Sequence, residues 1–286
     1  MASLQIDDLC VDFGGLRAVN ALGFTAAEGT IKGVIGPNGA GKTTLFNAIS
    51  GFVRPSRGSV RLDGIDISTL ASHERASRGL SRTFQNLQLI PDMSVLENVM
   101  LGSHASLRAA WGASLLGLAR REELAAEALA LEKLELLGLA DRSAVPASDL
   151  GFADAKLLEI ARALAGCPRV LLLDEPLAGV PLEEQNRVVE IVRAINRTGV
   201  TIVLVEHNMR VVMQVCDEIV VMHHGAWLAE GSPADVAQSP EVIAAYLGTA
   251  HGAAPGTAPG TTQGTAAGAA YPQTDAAGHG TRGNHA

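Results

Sequence analysis

The sequence has no apolar stretch long enough to span a bilayer. A crossing helix needs roughly 20 consecutive apolar residues. Apolar residues make up 47% of the 286, yet they come in short runs. The strongest, Val170–Leu173 and Thr201–Val205, end at charged residues. A chain that stays out of the membrane is therefore expected. The N-terminal MASLQIDDLC lacks a basic region followed by an apolar run, so no secretion signal is predicted. Paired cysteines are lacking too. Cys10, Cys167 and Cys216 lie far apart and form no CxxC, the pattern of free thiols in a reducing compartment. Nor is there a basic excess. The 22 Lys and Arg against 30 Asp and Glu give a formal net charge of −8. Nucleic-acid binders more often carry a basic face, so neither DNA nor RNA is an expected partner.

What is present falls into two regimes. Residues 1–248 read as globular, a length that suits one large α/β domain. From Thr249 the composition collapses to Ala, Gly, Thr and Pro. Glycines recur at Gly252, Gly256, Gly260, Gly264 and Gly268, a period of four rather than collagen's three. Residues 249–286 have little to bury, and a disordered low-complexity tail is expected. In the globular part, β-like runs alternate with helical patterns. Thr30–Ile35 reads as a strand and Lys42–Ser50 as the helix after it. Val170–Leu173 and Thr201–Val205 suit central strands covered on both faces. Leu124–Leu139 carries apolar residues at helical spacing and ends near Gly138. This order predicts an α/β fold with a parallel sheet.

The strongest motif is GPNGAGKTT: Gly36, Pro37, Asn38, Gly39, Ala40, Gly41, Lys42, Thr43 and Thr44. It matches GxxxxGK[ST] between an expected strand and an expected helix. Glycines let backbone N–H groups converge on one polyphosphate, and the helix N-terminus adds partial positive charge. Lys42 is expected to neutralise the β- and γ-phosphates of ATP, and Thr43 to hold Mg²⁺ through its hydroxyl. A second element is the apolar strand ending in Asp174 and Glu175. Alone, that pair could be a helix cap. Beside a phosphate loop, Asp174 fits a Mg²⁺ ligand and Glu175 a base that orients water.

With these residues in order, residues 4–248 resemble the ABC ATPase family. The resemblance implies that Phe13, in VDFGG, stacks on adenine. It implies that Gln85, in RTFQN, contacts Mg²⁺ and the water. It makes Asp174 a Mg²⁺ ligand, Glu175 the catalytic glutamate, and His207, in LVEHN, the switch histidine at the γ-phosphate. FGGLRAVN, GPNGAGKTTLFNAISG, SRTFQN, MSVLENVMLG and the ending AAYLG are similar to the LivG-type ATPases of branched-chain amino-acid importers. Residues 102–121 look like the extra segment such subunits carry, with the small and apolar run Ala109–Ala119 between arginines. That run could pack on its own domain or touch a permease or the lipid surface.

Two places depart from the pattern. The family's signature, LSGGQ, offers donors to the ATP of the opposite subunit. Here Leu150 is followed by Gly151, Phe152, Ala153 and Asp154. A hydroxyl donor is missing, a methyl is added, and a carboxylate stands where an anion would approach, though Asp154 could instead cap the following helix. Pro181 replaces the family's usual Asp or Asn. The changes fall on elements offered to a partner. Those acting on the chain's own nucleotide are intact. Family drift and a division of labour in a heterodimer both remain open.

The resemblance implies a phosphate-loop NTPase fold with a RecA-like core, an antiparallel β subdomain including Gly58–Ile67, and a helical subdomain over about residues 88–165. It implies an ATPase at the cytoplasmic face of the cell membrane. Its partners would be a second ABC ATPase subunit, two membrane permease subunits and, indirectly, a solute-binding protein. An exporter ATPase of the lipopolysaccharide type and a non-transport ABC protein are the alternatives. A GTPase is disfavoured by the lack of NKxD.

Overall fold

The computed structural model describes residues 2–84, 87–107 and 119–247. The expected tail, Gln85, and nearly all of the Ala109–Ala119 run lie outside the described residues.

Two sheets organise the compact unit of residues 1–252. The first is antiparallel. Long strands β1 (Ala2–Phe13) and β2 (Leu16–Ala27) form a hairpin, and β4 (Arg57–Leu62) and β5 (Ile65–Asp66) extend it in the order β2-β1-β4-β5. The second has the order β10-β9-β3-β8-β7-β6. Its strands are β3 (Ile31–Ile35), β6 (Leu80–Arg82), β7 (Val170–Asp174), β8 (Thr201–Val205), β9 (Glu218–His223) and β10 (Ala226–Gly231). All pair in parallel except β10, which returns antiparallel on β9.

The apolar runs become central strands because both faces of this sheet are covered. Leu171 and Leu173 of β7, Ile202 and Leu204 of β8, and Ile219 and Val221 of β9 face one core. Their alternates Val170, Leu172, Val203, Val205, Val220 and Met222 face another, with the antiparallel sheet and α1 (Lys42–Ile49). Strand side chains alternate sides, so each strand stitches both cores together. Each fully buried aliphatic side chain contributes about 1.5–3 kcal/mol.

On the first core pack α3 (Val95–Leu107), α4 (Ala119–Leu136) and α5 (Phe152–Leu164), which also contact one another. This group lies within the range expected for the helical subdomain. α6 (Leu182–Arg197) buries Val188, Val189, Ile191, Val192 and Ile195, a stripe at the spacing of one helix face. The short α2 (Ser72–Ala76), α7 (Met209–Val215), α8 (Pro233–Gln238) and α9 (Pro240–Leu247) complete the fold. Among the described residues, no helix is long and apolar enough to cross a membrane.

Candidate active site

The loop between β3 and α1 is shaped by close approach. At Gly36 the backbone has φ +155°, and a Cβ there would lie 2.2 Å from the Met222 carbonyl oxygen. At Gly41 φ is +95°, and a Cβ would lie 2.4 Å from the Ala18 carbonyl. Neither position accepts a side chain without moving β9 or β2. The turn closes through Ala40 N–H to Pro37 O at 3.1 Å and Gly225 N–H to Ala40 O at 3.1 Å. Gly41 caps α1 with no side-chain hydrogen bond. The first-turn N–H groups are thus left for an anion.

Lys42 opens α1 and is largely buried. Its Nζ donates to Gly36 O at 2.6 Å and to Pro37 O at 3.0 Å. Burial pushes its pKa down, against the opposing pull of Glu175 and Asp174. Asp174 ends β7, 3% exposed. Its Oδ2 accepts from Arg82 Nη2 at 2.7 Å, and its N–H donates to Thr83 Oγ1 at 3.2 Å. Arg82 Nη1 also reaches Asn47 Oδ1 (2.7 Å) and Ser50 Oγ (3.0 Å). The guanidinium lies 5.4–6.0 Å from the ring centres of Phe46, Phe52 and Phe84. Sequence reasoning gave Arg82 no role. The available signal was an arginine on a short strand leading into RTFQN, in register with the strand that ends in Asp174.

Glu175 has φ +50°, a left-handed conformation rare for a non-glycine residue and common where function constrains the chain. Its N–H donates to Val205 O at 2.9 Å, tying it to the end of β8. His207 Nδ1 lies 3.9 Å from Glu175 Oε1 and 3.9 Å from Glu206 Oε2, beyond hydrogen-bond length. Glu206, also unpredicted, is 1% exposed. It accepts the N–H groups of Leu177 (3.0 Å) and His207 (3.2 Å). Burial raises its carboxyl pKa, and those N–H groups partly offset the rise.

A cavity of about 620 Å³ gathers Phe13, Asn38, Gly39, Ala40, Gly41, Lys42, Thr43, Thr44 and Glu175. Arg17 and His224 line it too, and sequence reasoning missed both. Phe13 is half-exposed at the tip of the β1–β2 hairpin, where a planar base could stack. Glycine positions closed to any Cβ, a lysine at the loop and a helix N-terminus form a cradle suited to a polyphosphate. The Thr43 hydroxyl and Asp174 carboxylate are hard oxygen donors and fit Mg²⁺.

The signature residues lie elsewhere. Gly151 is the N-cap of α5, and Phe152, 46% exposed, lines a separate cavity of about 430 Å³ with Leu150. Ala153 and Asp154 are buried in the first turn of α5. Asp154 does not cap the helix. Its oxygens accept from Arg142 Nη1 at 2.7 Å and Arg187 Nη1 at 2.8 Å. Pro181 is the N-cap of α6.

A parallel sheet with a phosphate cradle at the end of β3 and an acidic pair at the end of β7, with β8 between, defines a phosphate-loop NTPase with a RecA-like core. Within that class, the chain belongs to the ABC transporter family. The family profile described as ABC transporter matches residues 19–178. A second, described as branched-chain amino acid ATP-binding cassette transporter, matches residues 228–252. The chain is 41% identical over 253 residues to the high-affinity branched-chain amino acid transport ATP-binding protein BraF of Pseudomonas aeruginosa, covering 86% of this chain and 98% of that one. It is 38% identical over 250 residues to the corresponding protein LivG of Escherichia coli, with 86% and 98% covered. A solved nucleotide-free ATP-binding cassette from an ABC transporter superposes with a TM-score of 0.76 at 30% identity, covering 86% and 99% of the two chains.

Proposed function

We propose that this chain is the ATP-hydrolysing subunit of an importer for branched-chain or other hydrophobic amino acids, or related small solutes. The observation that carries the reading is the cavity that brings Lys42, Thr43 and Glu175 together. Similarity to BraF and LivG supports the substrate class.

The chemistry follows from the residues. The loop amides and Lys42 bind the phosphates and fix the γ-phosphoryl group. Thr43 and Asp174 would hold Mg²⁺, which would supply positive charge to neutralise the phosphates. Glu175 orients a water and accepts its proton. His207, on the turn after β8, faces Glu175 and contacts the γ-phosphate on closure. Gln85 belongs to the same set by its place in RTFQN. Catalysis is then mainly positioning and charge stabilisation.

Gly151, Phe152, Ala153 and Asp154 serve the nucleotide of a second ATPase subunit, in a heterodimer. The pair docks on two permease subunits at the cytoplasmic face of the membrane, and a solute-binding protein delivers the cargo. Closure around ATP drives the permeases between states.

The test is uptake. Deleting the gene should abolish high-affinity uptake of labelled leucine, isoleucine or valine, and Glu175→Gln should not restore it. Unchanged uptake together with a defect in surface lipid would favour an exporter instead.

A further inference from the structure

Arg82 sits on the very carboxylate that the proposed function assigns to the metal. We propose that Arg82 is a resident counter-ion of Asp174, competing with the divalent cation for that carboxylate and thereby setting the magnesium affinity of the site. The inference rests on the ATPase reading above.

A carboxylate as buried as Asp174 is costly unless paired. Lys42 is not within ion-pair distance of it; its Nζ donates instead to the Gly36 and Pro37 carbonyls. Among the described residues, Arg82 is the cation within ion-pair distance, at 2.7 Å, with both side chains under 10% exposed (7% and 3%).

The guanidinium is also anchored independently of Asp174. Asn47 on α1 and Ser50 at its C-terminus hold Nη1, and three phenylalanine rings surround it. When Asp174 turns to a metal, Arg82 stays where it is. A cation at Asp174 then meets a fixed positive charge a few ångströms away, with little water between to screen it. In so poorly screened a site, like-charge repulsion at that range is worth on the order of a tenfold change in affinity or more.

Arg82 Nε adds a second sign. It is buried and, among the described residues, has no hydrogen-bond partner. A guanidinium placed only to hold strands together would be expected to use its donors, because an unsatisfied buried donor is costly.

Two roles predict opposite results. As a counter-ion, Arg82 weakens magnesium binding. As a mere orienter of Asp174, it strengthens it. The experiment is a Mg²⁺ titration of trinitrophenyl-ATP fluorescence on the full chain, with no turnover required. Arg82→Gln should lower the half-saturating Mg²⁺ about tenfold or more and leave nucleotide binding in EDTA unchanged. In an Asp174→Asn background the same substitution should have a clearly smaller effect, since competition for the carboxylate is gone and only the repulsion by the fixed guanidinium remains. Arg82→Lys keeps the charge and should keep the wild-type requirement.

If Arg82→Gln does not fold, Arg82→Met, which fills the aromatic cage without charge, carries the same expectation. An unchanged or raised Mg²⁺ requirement in the neutral variants, or an equal drop in Arg82→Lys, overturns the proposal. Failure of the wild-type chain to bind the nucleotide at all would overturn the ATPase reading itself.

Discussion

Arg187 of α6 donates to Asp154 of α5 at 2.8 Å, and Arg142 closes on the other carboxylate oxygen at 2.7 Å. The carboxylate that the sequence places in the signature is therefore not a bare negative charge. Two guanidiniums share this one carboxylate. Replacing both arginines with Ala should strand the charge of Asp154 and destabilise the chain by about 1–2 kcal/mol, discounted because both arginines are partly exposed. Asp154→Asn in that double variant should recover most of the loss. Urea denaturation of wild type, the double variant and the triple variant measures it, and an unrecovered loss would assign the effect to packing.

Asymmetry between the two sites of the proposed heterodimer is the second expectation. The signature lacks a hydroxyl at Gly151, and one lost preorganised donor costs roughly 10²–10³ in rate. Lys42→Ala in this chain should then abolish most turnover of the assembled transporter. The equivalent change in the partner should leave much of it. Equal losses would mean two equivalent sites.

Glu175 is tied to the end of β8 by its N–H and held in a strained conformation beside the phosphate loop. Glu175→Gln should preserve ATP binding and lower turnover by roughly 10²–10⁴, the usual worth of a general base. Trapped, unhydrolysed nucleotide in the assembled complex is the readout. Near-normal hydrolysis would move the base elsewhere.

Glu206 gives a pH signature. Burial raises its carboxyl pKa above the ordinary glutamate value. The folded chain therefore holds this proton more tightly than the unfolded chain. The contribution is fully present at low pH and is lost as pH rises through the raised value. Glu206→Gln cannot ionise and keeps an oxygen that can accept one of the two N–H groups. Its melting temperature, measured from about pH 4 to pH 7, should gain on wild type with rising pH, by roughly 2–4 °C per kcal/mol. A constant gap would show that ionisation of Glu206 does not bear on folding.

Much of the fold and part of the site are legible in the sequence because they are local. The cradle is nine consecutive residues whose glycines and lysine state their purpose by spacing. The continuous apolar runs Val170–Leu173 and Thr201–Val205 announce strands covered on both faces, and each run delivers its charged residues to the same sheet edge. Tertiary structure alone decided which distant side chains meet there. Arg82 reaches Asp174 because β6 and β7 pair in parallel register. Glu206 bridges Leu177 and His207 because β7 and β8 end side by side. Asp154 is paired because α5, α6 and the turn at Ala140–Arg142 converge. Short-range sequence patterns encode backbone conformation and burial, and those read directly. Buried ion pairs depend on strand register and helix packing across many tens of residues, and no local pattern carries that information.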